Sequence, residues 1–202
     1  KRKKQQLYGQ IVMDEFIMKE FTSNRGWWGN KYGFQAGLKG RFSIGKWNYF
    51  YRTEINIVRP YTYAHRGSGQ NYGNQGLALA HPYGANFKEV LAEFKFQKDN
   101  ILIKAFVNYA ERGIDSSASI SYGSNIYASY LNRPFDYGNK IGQGLHLEQL
   151  KSIFTVAYQI HKETNLQLFI EDHLSYTFNP TLVQHALIFG IRSQLWNDYR
   201  NY

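Results

Sequence analysis

Apolar and polar residues alternate along most of this chain with a period of two. Within 31–42, every even-numbered residue is apolar or glycine, and every odd-numbered residue is polar or glycine. Because successive side chains of a β-strand point to opposite faces, such a stretch predicts a strand with one apolar and one polar face. The pattern recurs in eight stretches, at 7–21, 31–42, 48–63, 86–97, 101–113, 146–160, 165–176 and 185–202. The chain is therefore predicted to be all-β.

The final stretch, 185–202, is long and rich in aromatic residues. Leu187, Phe189 and Ile191 share one face, and Tyr202 is the last residue. A transmembrane β-strand needs about nine to eleven tilted residues to cross the hydrocarbon layer, with lipid on one face and a polar lumen on the other. The final stretch meets both conditions and is typical of the insertion signal of an outer-membrane β-barrel.

The connections between the stretches alternate in length. Those at 44–47, 98–100 and 162–164 are short, whereas those at 22–30, 64–85 and 114–145 are long, and a shorter one follows at 178–183. Bacterial barrels have short periplasmic turns and longer outer loops. A soluble sandwich does not predict such long strands, because ordinary strands average about five or six residues. We therefore predict a transmembrane antiparallel β-barrel of about eight strands, in contact with the lipid of a bacterial outer membrane.

The polar faces carry charges of both signs. The charged residues assigned to the lumen are Asp14, Lys39, Arg41, Arg52, Glu54, Glu89, Glu93, Lys95, Lys104, Arg112, Lys151, Glu171 and Arg192. In an eight-stranded barrel side chains just fill the interior, so opposite charges would pair and close the lumen. Alternatively, the chain is the C-terminal part of a larger barrel, and the same charges line water. Residues 1–202 are then one barrel domain or the C-terminal part of one.

Composition excludes several classes of protein. Aromatic residues make up 17% of the chain, which suits the aromatic rims of a barrel, and cysteine is absent, which excludes disulfides and thiolate metal sites. The formal net charge is +9, but four of the 24 basic residues precede the first strand and others lie on lumen positions, so we do not expect nucleic acid as a partner.

The opening run Lys1-Arg2-Lys3-Lys4 has no apolar core after it and is not an export signal. We therefore expect a mature chain or a fragment, and favour a fragment.

No arrangement of residues predicts catalysis or a cofactor. Asp14-Glu15 and Glu171-Asp172 are adjacent pairs, and adjacent strand residues point to opposite faces, so neither pair converges on one substrate. The six histidines have no spacing that places two on one face as metal ligands. A Gly-x-Ser-x-Gly motif is absent. We expect a protein without enzymatic activity, metal or cofactor.

The long outer loops hold the candidate ligand-binding residues. Aromatic rings stack on sugars, and arginine or asparagine side chains bind hydroxyl or uronate groups. The candidates are His65, Arg66, Tyr72, His81 and Tyr83 in one loop, and Tyr130, Asn132 and Arg133 in another. The alternative is that these residues fold the loops over the lumen as a plug or belong to the aromatic girdle.

Several segments carry a resemblance to known proteins. They are 71–89, Gly9-Gln10 with Asp14-Glu15-Phe16, 26–31 (with Trp27-Trp28) and 189–202. In these segments the chain resembles Bacteroidetes outer-membrane proteins related to the Wzi capsule-assembly family and to a gliding-motility outer-membrane protein. Members of that group are longer and begin with an export signal, which favours the C-terminal part of a larger barrel.

The resemblance implies a non-enzymatic role at the cell surface. One form of that role is to hold surface polysaccharide, either capsule or exopolysaccharide. The gliding-type relatives imply a second form, a structural subunit of a motility or secretion assembly with envelope protein partners. A diffusion porin is a third alternative, and it requires an open lumen.

Overall fold

The computed structural model describes residues 4–193, which form mainly β-strands. Eight long strands build one sheet: β1 (Lys4–Met13), β2 (Tyr32–Ile44), β3 (Trp47–Val58), β6 (Phe87–Lys98), β7 (Ile101–Ile114), β8 (Leu145–His161), β9 (Leu166–Phe178) and β10 (Thr181–Ser193). A separate hairpin pairs β4 (Gly73–Asn74) with β5 (Leu77–Ala78). The helical elements are α1 (Met18–Thr22) and the 3-10 turns Ser68–Gln70 and Tyr130–Asn132. No helix in residues 4–193 is long and apolar enough to cross a membrane.

The large sheet is antiparallel throughout, and its spatial order, β1-β2-β3-β6-β7-β8-β9-β10, follows the order of these strands in the chain. This arrangement confirms the all-β, antiparallel part of the sequence prediction. Within residues 4–193, β1 and β10 each pair on one side only, so the described sheet has two edges and is not closed.

One face of the sheet is apolar and exposed. At its centre, Leu38 is 37%, Val107 43% and Phe154 49% exposed. Other exposed apolar residues of this face are Phe34, Ile55, Val90, Phe94, Val156, Ile170, Leu187 and Phe189. A sheet of a soluble protein normally packs its apolar face against a second layer. In the described part of the chain this face has no such cover.

The opposite face, termed the inner face, is polar and largely buried. Glu54, Asn56, Glu89 and Asn108 are at most 9% exposed. Asn56 Nδ2 donates to Glu54 Oε1 over 3.0 Å and to Glu89 Oε2 over 2.8 Å. By strand register, every charged residue assigned to the lumen except Asp14 lies on this face. The sheet therefore reverses the usual distribution of a soluble domain, in which apolar residues are the buried ones.

The first predicted strand, 7–21, is wrong beyond Met13, where β1 ends and a connection containing α1 begins. Backbone hydrogen bonds turn the chain there, because Asp14 N donates to Lys31 O over 3.1 Å and Lys31 N donates to Glu15 O over 2.8 Å. Asp14 therefore leaves the sheet and is not a lumen residue.

The third predicted strand, 48–63, is too long at its C-terminal end. β3 ends at Val58. Pro60 has no N–H to donate to the strand ladder. Tyr61 and Tyr63 have φ angles of 65° and 73°, which are rare for bulky residues and incompatible with a strand. The chain consequently leaves the sheet before these tyrosines.

The last predicted strand, 185–202, begins earlier than expected. β10 starts at Thr181, directly after the turn Asn179-Pro180, so the connection expected at 178–183 is a tight turn. The described part of this strand ends at Ser193. The rest of the prediction, 194–202, lies outside the described residues.

Candidate functional site

The three long connections lie at one end of the sheet and fold together into a cap. They comprise residues 14–31, 59–86 and 115–144, here termed the loop cap. Trp28 N donates to Asp136 O over 2.9 Å, which joins the first and third connections. Lys31 Nζ donates to Ala64 O over 2.9 Å, which joins the first and second. Because the bonds run between connections, the loop cap is one ordered structure.

Asn86 joins the second and third connections. Its side chain is fully buried, and Oδ1 accepts a hydrogen bond from Gly142 N over 2.8 Å. Nδ2 donates to Gln143 O over 2.9 Å and to Tyr122 O over 3.3 Å. Asn86 O also accepts from Gly113 N of β7 over 2.9 Å. Asn86 therefore links the second and third connections to each other and to β7.

We expect Gly113→Ala to destabilise the protein by about 1–3 kcal/mol, the usual effect of overpacking. A Cβ at Gly113 would overlap Gln143 O and Asn86 Nδ2, so the third connection would have to move away from β7. Gly67→Ala is the matched control, because its Cβ would meet nothing within 4 Å. Denaturant titration in detergent measures both variants, and equal stabilities would contradict the expectation.

Lys31 is a buried cation within the loop cap, with no exposed side-chain surface. Its Nζ lies 3.2 Å from Glu15 Oε1, 3.8 Å from Asp14 Oδ2 and 4.5 Å from the centre of the Tyr130 ring. The two carboxylates and the ring offset the loss of hydration of the ammonium group. Asp14 and Glu15 therefore do converge, contrary to the sequence prediction, because neither lies in a strand.

The second carboxylate pair behaves as predicted. Glu171 forms an ion pair with Arg192 on the inner face, where Arg192 Nη1 lies 2.7 Å from Glu171 Oε1. Asp172 forms an ion pair with His185 on the opposite face. Among the described residues, no group of three His, Cys, Asp or Glu side chains is arranged to hold a metal ion.

His81 and Tyr83 point to the inner face of the sheet rather than outward. His81 Nε2 lies 3.0 Å from Glu89 Oε2. The hydroxyl of Tyr83 donates to Asn108 Oδ1 over 3.5 Å, and the Arg112 guanidinium lies 4.0 Å from the centre of the tyrosine ring. Burial raises the pKa of the Tyr83 hydroxyl above its usual value, so this group is a neutral hydrogen-bond donor at neutral pH. These contacts correspond to the plug alternative.

The other three candidates of this connection lie nearer the surface. His65 Nε2 is 3.4 Å from Asp14 Oδ2. Arg66 is exposed. Tyr72 is 55% exposed, and its ring centre lies 5.7 Å from that of Tyr63. Arg66 and Tyr72 are therefore accessible to a large ligand.

The candidates of the third connection pack around Trp28. The ring centre of Tyr130 lies 4.7 Å from that of Trp28, and the Arg133 guanidinium lies 4.2 Å from the Trp28 ring. Arg133 Nε also donates to Asp136 Oδ1 over 2.6 Å. Asn132 is exposed. Tyr130 and Arg133 thus serve mainly to hold the loop cap together.

The eight candidates therefore do not form one surface. Two contact the inner face of the sheet, two pack around Trp28, and four lie nearer the surface of the loop cap. The sequence prediction did not include Trp28, Lys31 and Asn86, which organise the loop cap. The signal for Trp28 and Lys31 was present, since both belong to a segment that carries the family resemblance. Asn86 also belongs to such a segment, 71–89, but nothing in its local sequence marked it as a residue that joins two connections.

The inner face borders a cavity of about 1340 Å³. Residues from β1, β2, β3, β6, β7, β8 and β9 line it, so the sheet curls around this space. Small-molecule pockets commonly measure about 300–1,000 Å³. The cavity is therefore large enough for more than one small molecule, and the side chains of residues 4–193 do not fill it.

No protein-family model, no curated protein and no solved structure matches this chain. The resemblance to Wzi-like and gliding-type proteins therefore stays a prediction from the sequence.

Proposed function

We propose that the chain is a non-enzymatic outer-membrane β-barrel, or part of one, that binds surface polysaccharide through its loop cap. The single observation that carries the membrane assignment is the sheet with an exposed apolar face and a polar, charged inner face whose central residues, among them Glu54 and Glu89, are buried. Lipid is the solvent in which this distribution is favourable. The alternation of long and short connections supports an orientation of the sheet in the membrane, with the loop cap at the cell exterior and the short turns on the periplasmic side.

The two sheet edges bear on the size of the barrel. In lipid every backbone polar group needs a partner, so an open edge is not stable there. We propose that further strands close the sheet between β1 and β10. Two observations support a wider barrel. Leu182 and Ile188, on the inner face of β10, are 54% and 42% exposed, and the described side chains do not fill the cavity.

The surface of the loop cap supports the polysaccharide assignment. Tyr137 is 44% exposed, and the Arg25 guanidinium lies 4.6 Å from its ring centre. Arg66 and Tyr72 are a second arginine and a second tyrosine of the loop cap with exposed side chains. Such pairs offer a stacking surface for a sugar ring and a donor for hydroxyl or carboxylate groups.

We expect the variants Arg25→Ala/Tyr137→Ala and Arg66→Ala/Tyr72→Ala each to weaken glycan binding at least tenfold. A stacked ring and a charged hydrogen bond together contribute about 2 kcal/mol or more. Glycan-array binding of the detergent-solubilised protein measures the effect. Lys162→Ala/Tyr158→Ala is the control, because it likewise removes one cation and one tyrosine, but from the short-turn end. Unchanged binding in both loop-cap variants would remove the polysaccharide part of the proposal.

A second candidate is a structural subunit of a larger envelope assembly. The edges of β1 and β10 favour it, since within residues 4–193 they have no further strand beside them and offer backbone groups to a partner chain. Co-purification from detergent-solubilised membranes separates the two proposals. A stoichiometric partner supports the assembly subunit, whereas a solitary barrel that binds glycans supports the first proposal.

A further inference from the structure

The cavity wall contains two adjacent rows of cationic side chains, here termed the cationic rows. Six cations line the cavity: Lys4, Lys39, Arg41, Arg52, Lys95 and Lys104. The strand register places three pairs of them directly opposite each other on neighbouring strands: Lys4 and Arg41, Lys39 and Arg52, and Lys95 and Lys104. The carboxylates in the described lining are Glu93 and Glu171. The cavity therefore has a clear excess of positive charge.

This arrangement is unfavourable for the sheet alone. Like charges directly opposite on neighbouring strands destabilise a sheet. Glu93 offsets part of the repulsion, because its carboxylate lies 3.4 Å from Arg52 Nε and 2.7 Å from Lys95 Nζ. Glu171 is 2.7 Å from Arg192, a cation outside the cationic rows. The two carboxylates of the described lining are therefore outnumbered by its six cations, and the excess charge fits the alternative in which these residues line water.

Aromatic rings hold several of the cations in place. Phe50 lies between Arg41 and Lys95, whose charged groups are 5.7 Å and 5.0 Å from its ring centre. Lys39 Nζ lies 5.4 Å from the centre of the Tyr8 ring. Cation–π contacts of this kind restrict the side chains before any ligand arrives. The cationic rows are thus a pre-organised surface.

We propose that the cationic rows bind an anionic ligand with several phosphate or carboxylate groups, which enters from the short-turn end. The loop cap covers the other end of the sheet, while Arg41 and Lys95 lie close to the turns at Gly45 and Asp99. Pre-organised cations in a low-dielectric concavity attract anions strongly. The inference depends on the curled sheet and not on the polysaccharide role of the loop cap.

Isothermal titration calorimetry of the detergent-solubilised protein at low ionic strength tests the proposal. The probes are sodium tripolyphosphate and trigalacturonate, which separate a phosphate-bearing from a uronate ligand. We expect saturable binding of at least one, weakened at least tenfold in Lys95→Gln/Lys104→Gln. Lys19→Gln/Lys140→Gln is the matched control, because it removes the same charge from exposed positions in the loop cap and should leave affinity unchanged.

Glu93→Gln provides an independent test, because it should raise the affinity for the anionic probes, whereas the lysine variant should lower it. It removes a carboxylate from the cavity and should tighten anion binding about threefold or more, whether or not the lysine variant folds. The loop-cap variants Arg25→Ala/Tyr137→Ala should bind both probes as the unmodified protein does, which separates this site from the polysaccharide site. Absence of saturable binding of both probes, or equal weakening in the two double-lysine variants, would overturn the proposal.

Discussion

Val107→Arg is expected to destabilise the membrane-embedded protein by about 2–4 kcal/mol, the usual effect of a charge at the midplane of a barrel. Val107 lies midway along β7 on the apolar face, opposite Ala92 and Ser152 of the neighbouring strands, and is 43% exposed. In water an arginine at this position would be hydrated, and such surface substitutions usually change stability by about 0.5 kcal/mol or less. The size of the stability loss therefore shows whether lipid or water contacts the apolar face of the sheet.

Leu131→Arg is the matched control for this experiment. Leu131 is 54% exposed, but it lies in the loop cap, where the membrane proposal places water. Urea titration of each variant refolded into phosphatidylcholine vesicles measures the difference, and only Val107→Arg should lower the midpoint. If both variants were as stable as the unmodified protein, and that protein stayed monodisperse without detergent, the membrane proposal would be wrong.

The strands were predictable because their signal is local and repeated. In β7 the sequence prediction of 101–113 and the observed Ile101–Ile114 differ by one residue. A period of two that persists through more than ten residues has few alternative explanations. The same signal could not locate the end of β1, because that end depends on backbone hydrogen bonds of Asp14 N to Lys31 O and of Lys31 N to Glu15 O, and Lys31 is distant in sequence from both.

The loop cap was much less predictable than the strands. The sequence indicated that His81 and Tyr83 lie in an outer connection, but not that this connection turns back to Glu89 on the inner face. The direction of a loop side chain depends on contacts with other connections, and no local pattern encodes those contacts. The cationic rows were only partly predictable. The alternation placed Lys39, Arg41, Arg52, Lys95 and Lys104 on one face, but Lys4 was expected before the first strand, and the register that sets Lys95 opposite Lys104 came from the structure.

Asn86→Ala is expected to open the loop cap, with a loss of local stability of about 4 kcal/mol. It removes three side-chain hydrogen bonds, two to carbonyl groups and one from Gly142 N. Tyr122 O keeps its bond from Gln143 Nε2, but Gln143 O and Gly142 N lose the Asn86 partner, and each buried group left without a partner costs about 1–3 kcal/mol. It also places alanine at φ 62°, a left-handed conformation that asparagine tolerates better. Hydrogen exchange of the amides of residues 59–86 and 115–144 measures the opening.

Asn86→Gly separates the two causes. Glycine adopts the left-handed conformation without strain but lacks the amide, so it should lose about 1 kcal/mol less than alanine. In both variants the central amides of β6, β7 and β8 should keep their protection, because their hydrogen bonds lie within the sheet and local opening need not unfold it. If exchange accelerated equally in strands and loops, the loop cap and the sheet would be one cooperative unit. If the loop amides kept full protection, Asn86 would not be the residue that ties them to β7.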